Sequence, residues 1–118
     1  MHNLSRQLID IQHQAEKIVN GNPSVTVIED FSRYSEELRD FVRKHVDVAQ
    51  ALELLEEIPV IEPFTLRARD GWVAFLIPSA VWLIYQERSY VATAVEKVRT
   101  CRGKFASLEF LVRNSYDD

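Results

Sequence analysis

Between Pro23 and Pro59, large apolar side chains recur alternately four and three positions apart. This spacing places them along one side of an α-helix, where they can pack against other helices. We call these positions the seam: Val27, Phe31, Tyr34, Leu38, Phe41, His45, Val48, Leu52 and Leu55. The seam predicts helical structure over 24–57 and a surface that other helices cover, either from this chain or from a second copy.

The length of the seam raises the question of whether one helix carries all of it. A helix unbroken to Ile58 would be about 45 Å long at 1.5 Å per residue, which is more than a compact domain needs. We therefore expect a kink or short turn at 46–48, with Asp47 capping a second helix. Pro59 should end the helical pattern because it lacks a backbone amide hydrogen. The sequence leaves open whether 24–57 is continuous.

A preceding helix is predicted by a second row of apolar residues at helical spacing: Leu4, Leu8, Ile11, Ala15 and Ile18. It should end at Asn20-Gly21, since glycine suits the left-handed residue beyond a helix end. Asn22-Pro23-Ser24 then indicates a new helix start, because Asn and Ser side chains accept hydrogen bonds from the first amides. Thr26 and Glu29 offer an alternative capping arrangement.

The fourteen residues from Trp72 to Tyr85 carry no charge. A membrane-spanning helix needs about 20 apolar residues, and Pro78 interrupts this shorter run, so we predict no membrane span. Asp70-Gly71 is a strong turn signal and favours a β-hairpin near residues 64–77. Its apolar face would hold alternate residues of the two strands: Phe64, Leu66, Ala68, Val73, Phe75 and Ile77.

The C-terminal part of the chain permits two interpretations. In the first, Ser79 caps a helix and a final helix over 105–112 follows Gly103. In the second, residues 80–85 and 90–95 are β-strands, because β-branched side chains are frequent there. We predict a mainly α fold, a small antiparallel bundle of three to five helices, with or without the hairpin. The alternative is an α+β fold with a small antiparallel sheet in the C-terminal half.

Length and composition indicate one globular domain over residues 1–118 that needs no disulfide or metal to fold. Cys101 is the only cysteine, so no intrachain disulfide forms, and we expect it to be a small buried side chain. The first residues lack the continuous apolar run of a secretory signal, so we expect a soluble, cytoplasmic protein. No spacing of ligands or glycines indicates a metal site, a cofactor or a nucleotide-binding loop.

Charge is distributed unevenly along the chain. Residues 29–62 hold ten acidic and four basic side chains, whereas residues 67–104 hold seven basic and three acidic ones. The simplest interpretation is attraction between the two parts within one fold or across a dimer. The alternative is a basic face for nucleic acid formed by Arg88, Arg99 and Arg102, although a net charge of −4 is unusual for such a protein.

The stretch Arg39-Asp40-Phe41-Val42-Arg43-Lys44-His45 resembles the Arg-to-His spacing that HEPN-type ribonucleases carry on a helix of a small bundle. The resemblance implies RNA cleavage in a dimer, with Arg39 stabilising phosphate charge and His45 handling a proton. Six residues separate the two side chains, so a straight helix directs them to different sides. The alternative is that His45 is an interface or core residue of the seam.

Trp72, Trp82 and Tyr85 indicate an aromatic surface for a protein partner or an apolar ligand. Because no convergent polar site is evident, we predict a protein that is not an enzyme. It is expected to be an interaction or regulatory module such as an adaptor, an immunity protein or a complex subunit, and to act through helical surfaces as a homodimer or with another protein. A nucleic-acid-acting protein is the second hypothesis and a small-ligand sensor the third, with its pocket between the hairpin and the C-terminal helix.

Overall fold

A computed structural model describes residues 2–67, 71 and 75–116, most of which are helical. Four helices are described: α1 (His2–Asn20), α2 (Val25–His45), α3 (Ala49–Glu57) and α4 (Ser79–Tyr116). Within these residues there is no β-strand, and a small helical bundle is confirmed.

The predicted boundary between the first two helices is confirmed, and local chemistry explains it. Gly21 does not adopt the expected left-handed conformation, but a Cβ atom at this position would lie 2.8 Å from the carbonyl oxygen of Lys17, which favours glycine here. Ser24 caps α2, and its hydroxyl accepts a hydrogen bond from the amide of Val27 at 3.2 Å. The alternative cap at Thr26 is therefore not used, and Glu29 instead accepts a hydrogen bond from the amide of Phe64.

The expected break at 46–48 is also confirmed. The amide of Val46 donates to the carbonyl of Val42 and closes α2, after which extended backbone leads to Val48. Val48, not Asp47, occupies the N-cap position of α3, and no side-chain cap hydrogen bond forms there. The helix ends at Glu57, two residues before Pro59.

The prediction of a β-hairpin near residues 64–77 is wrong. Its described residues, 64–67 and 75–77, form no strand, and Ala68 to Asp70 and Trp72 to Ala74 lie outside the described residues. The amides of Phe64 and Arg67 donate to the side chains of Glu29 and Gln86 instead of to a partner strand. Helices that are distant in sequence therefore satisfy the backbone groups that a hairpin would pair locally.

The α+β alternative is likewise overturned, because residues 80–85 and 90–95 both lie within α4. This helix has 38 residues and also includes the segment expected to be separate after Gly103. The helix continues through Gly103 without a break. Nothing approaches within 4 Å of a Cβ atom built on this residue, so the position has room for a side chain.

Helix α1 runs antiparallel to α4. The Ser5 hydroxyl donates to Glu109 at 2.8 Å, and Arg102 lies 3.7 Å from Glu16. After α3, residues 58–67 form an extended segment that we call the strap, and it lies along α4 in the opposite direction. Its carbonyl groups at positions 59, 62 and 67 accept hydrogen bonds from α4 side chains, namely Cys101, Tyr90 and Trp82.

The buried face of α2 is rotated from the predicted seam. Phe31 and Leu38 belong to both, but Val27 and Phe41 are nearly half exposed. The buried residues of α2 are Ile28, Phe31, Ser35, Leu38, Arg39 and Val42. This row also repeats every three or four residues, but two polar side chains interrupt it, and so its apolar pattern is the weaker of the two.

Candidate functional site

Helix α4 extends beyond the other helices at its N-terminal end. Its buried apolar residues begin at Ala94 and continue through Val98, Cys101, Phe105, Leu108 and Val112. Before Ala94, Gln86 is the only buried residue of the helix. The molecule measures 60 × 24 × 16 Å, and the longest dimension matches the roughly 57 Å of α4. Its radius of gyration, 17.4 Å, exceeds the roughly 13 Å of a compact chain of this length.

Large apolar side chains are exposed at this end. We call them the apolar end: Leu66, Phe75, Leu76, Val81, Leu83, Ile84 and Tyr85. Phe75 is 70% exposed, Leu76 73% and Tyr85 63%. Val81, Ile84 and Tyr85 share one face of α4 because they are three or four residues apart. An exposed apolar surface of this extent is typical of a site that contacts another molecule.

Two of the predicted aromatic site residues lie together at the apolar end. The rings of Trp82 and Tyr85 stack with their centroids 5.9 Å apart. The indole Nε1 of Trp82 donates to the carbonyl of Arg67 at 3.0 Å, and so Trp82 attaches the strap to α4 while Tyr85 faces outward. Trp72, the third predicted residue, lies outside the described residues.

A cavity of about 440 Å³ lies between the strap and α4. Aromatic rings from both sides line it, including Phe64, Trp82 and Tyr90. Gln86 lies in its wall, and its side-chain oxygen accepts a 2.6 Å hydrogen bond from the amide of Arg67. The Nε2 atom of Gln86 is buried and has no hydrogen-bond partner among the residues that the structure describes. The cavity therefore joins apolar faces to an unused donor.

The three predicted basic residues lie on α4 in different surroundings. Arg99 pairs with Glu96 on the same helix, and Arg102 lies 3.7 Å from Glu16 of α1. Arg88 is exposed and forms no ion pair with any residue that the structure describes. Two of the three positive charges thus pair with carboxylates within the bundle. Neither Glu96 nor Glu16 lies in the acidic part, 29–62, so these pairs do not test the predicted attraction between the two parts.

Arg39 and His45 lie on an unbroken α2 and have different environments. The Arg39 side chain is 9% exposed and pairs with Glu36 at 3.1 Å, and its Nε has no hydrogen-bond partner. His45 is exposed, and its ring centroid lies 4.5 Å from that of Phe41. The structure therefore does not bring the two side chains to a common surface where both could contact one phosphate.

Cys101 is fully buried in the core, as expected for a small structural side chain. Burial raises the pKa of its thiol to about 11, against the opposing effect of the nearby Arg39 charge. The sulfur therefore stays protonated at neutral pH, where a reactive cysteine would be a thiolate.

No group of three or more potential metal ligands occurs among residues 2–67, 71 and 75–116. Over the same residues, no helix is both long and apolar enough to cross a membrane. Comparisons with models of protein families, with curated proteins and with solved structures found no match.

Several residues of the site carried no recognisable signal in the sequence. Gln86 follows a long apolar run, and only the fold shows that it is buried against the strap. Leu66 and Phe75 had been expected on the covered face of a hairpin, yet both are exposed. The uncharged run itself was the available signal, since 75–85 supplies most of the apolar end.

Proposed function

We propose that this protein is a non-enzymatic interaction module and that it self-associates through the apolar end. The observation that supports this most strongly is the concentration of seven exposed large apolar side chains at one end of the molecule. Water contact with such groups is unfavourable, and covering them is the main driving force of protein association.

The size of the surface supports a stable interface. At roughly 150–200 Å² for each large side chain, the exposed fractions amount to an area on the order of 700 Å². Each partner contributes about 800 Å² to a stable interface of standard size. The largest apolar patch on a typical monomer covers about 300–600 Å². Leu83 lies on a different face of α4 from Val81 and Ile84, and the other six members of the apolar end are together large enough to form much of one interface.

A second copy is the partner that this surface fits. In a two-fold dimer the same patch faces itself, so any charge near its centre would meet a like charge. Residues 75–85 contain no charged side chain, and the nearest charges on α4, Glu87 and Arg88, follow the patch. Self-contact therefore brings no like charges together at the centre of the interface.

Sedimentation velocity over a range of protein concentrations tests the proposal with a matched pair of variants. Ile84→Asp places a charge in the apolar end, and Ile9→Asp places the same charge on α1, where isoleucine is exposed to a similar degree. We expect the unaltered chain and Ile9→Asp to form dimers, whereas Ile84→Asp weakens dimerisation by 100-fold or more, as expected for a buried unpaired charge.

A monomer at every concentration would contradict self-association. If both variants dimerise like the unaltered chain, the interface lies elsewhere. Binding of a different protein that is lost in Ile84→Asp, together with a monomeric unaltered chain, would keep the interaction module but replace the second copy as its partner.

A further inference from the structure

The cavity between the strap and α4 has features that self-association does not explain. A buried N–H group without a partner is energetically unfavourable, and native proteins contain few of them. The hydrogen bond from Arg67 fixes the amide orientation, because a backbone N–H can bond only to the oxygen of Gln86. The unpartnered atom of Gln86 is therefore the nitrogen, a donor that requires an acceptor.

The charged side chains at the cavity also favour an acceptor. Lys97 and Arg67 line it together with one acidic residue, Glu62, which leaves a net positive charge. Lys97 makes only a long 3.5 Å contact with the carbonyl of Val60. Its ammonium group thus retains donors for a negatively charged group.

The polar groups of Trp82 and Tyr90 are already used. Tyr90 donates its hydroxyl hydrogen to the carbonyl of Glu62 at 2.6 Å, and the Trp82 indole donates to Arg67. What these residues offer a ligand is therefore mainly the apolar surface of their rings. A flat ring is the shape that such surfaces contact best.

We infer that this cavity binds a small planar aromatic carboxylate. The ring packs against the aromatic side chains, and the carboxylate pairs with Lys97 and accepts a hydrogen bond from the buried Gln86 Nε2 once the side chains that cover this atom move aside. The volume of about 440 Å³ lies within the range of small-molecule sites and is sufficient for a one- or two-ring acid. Tyr85 belongs to both the apolar end and the cavity wall, but the groups assigned to the carboxylate, Gln86 Nε2 and Lys97 Nζ, lie outside the proposed dimer interface.

Titration with 1-naphthoate, followed by the side-chain amide signals in ¹H–¹⁵N NMR spectra, tests this assignment. The Gln86 signal is identified by its loss in Gln86→Glu. We expect saturable shifts of this signal, and at least tenfold weaker binding of 1-naphthamide, which has the same rings without the charge.

Two variants and one control sharpen the test. Gln86→Glu keeps the oxygen that accepts from Arg67 but replaces the donor with a second oxygen, so we expect naphthoate binding to be lost. The backbone amide spectrum of the variant checks that it is folded. Lys97→Gln should weaken binding about tenfold. Lys104→Gln, on the same helix but outside the cavity, should leave it unchanged.

Absence of saturable shifts at millimolar naphthoate would overturn the inference and leave the cavity to water alone. Equal binding of the acid and the amide, or equal effects of Lys97→Gln and Lys104→Gln, would also overturn it.

Discussion

The two halves of α4 have similar apolar content but opposite environments. From Ala94 to Val112, six apolar side chains and Glu109 are buried by the remainder of the bundle. From Ser79 to Ser89, only Gln86 is buried, although this half contains both Trp82 and Tyr85. Helices α1 and α2 are about 28 and 31 Å long, whereas α4 is about 57 Å long. The lengths of its neighbours, rather than the composition of α4, decide which half is covered.

The largest effect is expected from shortening a side chain in the covered half. Phe105→Ala should lower the free energy of unfolding by about 3–5 kcal/mol, because Phe105 is fully buried and its removal leaves a cavity. Phe110→Ala, five residues later, should change it by less than about 1 kcal/mol because Phe110 is 55% exposed. Chemical denaturation measures both; equal losses would contradict the described coverage of this half.

A smaller effect is expected from alkaline pH, again in the covered half. Cys101 has a pKa of about 11 when folded and 9.0 ordinarily, so its contribution to stability is complete below pH 9 and is lost as the pH rises through 11. Ionisation of this thiol lowers the free energy of unfolding by at most about 1.4 kcal/mol for each pH unit.

Two variants separate this contribution from others in denaturation experiments between pH 8 and 12. Cys101→Ala should flatten the decline between pH 9 and 11, whatever its effect at neutral pH. Burial, with the nearby Asp10 charge, raises the pKa of Tyr34 to about 12, so Tyr34→Phe should flatten only the decline above pH 10. An unchanged slope in Cys101→Ala would show that the thiol is accessible to water when the protein is folded.

Local sequence signals predicted the boundary between α1 and α2 well because the groups responsible are close in the chain. Ser24 caps its own helix, and Gly21 accommodates a carbonyl only four residues away. The hairpin failed for the opposite reason: the partners of the amides at 64 and 67 are Glu29 and Gln86, 35 and 19 residues distant. No local pattern contains that information.

The buried face of α2 differs from the predicted seam for a related reason. Two rows of positions satisfy the helical spacing, and the buried one contains Ser35 and Arg39. An arginine is buried there because Glu36 pairs with it at the edge of the core, which composition alone does not reveal. For the candidate site, the uncharged run predicted an aromatic surface at Trp82 and Tyr85. The third hypothesis expected a pocket between the hairpin and the C-terminal helix, and the cavity does lie beside that helix, with the strap as its other wall. The unpartnered nitrogen of Gln86 had no signal in the sequence, because the strap residue that it packs against is 19 positions away.

Hydrogen exchange along α4 at several protein concentrations tests the central claim most directly. If a second copy covers the apolar end, amides from Trp82 to Ser89 should exchange more slowly as the concentration rises, while those from Val98 to Val112 should not change. In Ile84→Asp the first group should exchange rapidly at every concentration. Exchange in the first half that is independent of concentration would contradict the account.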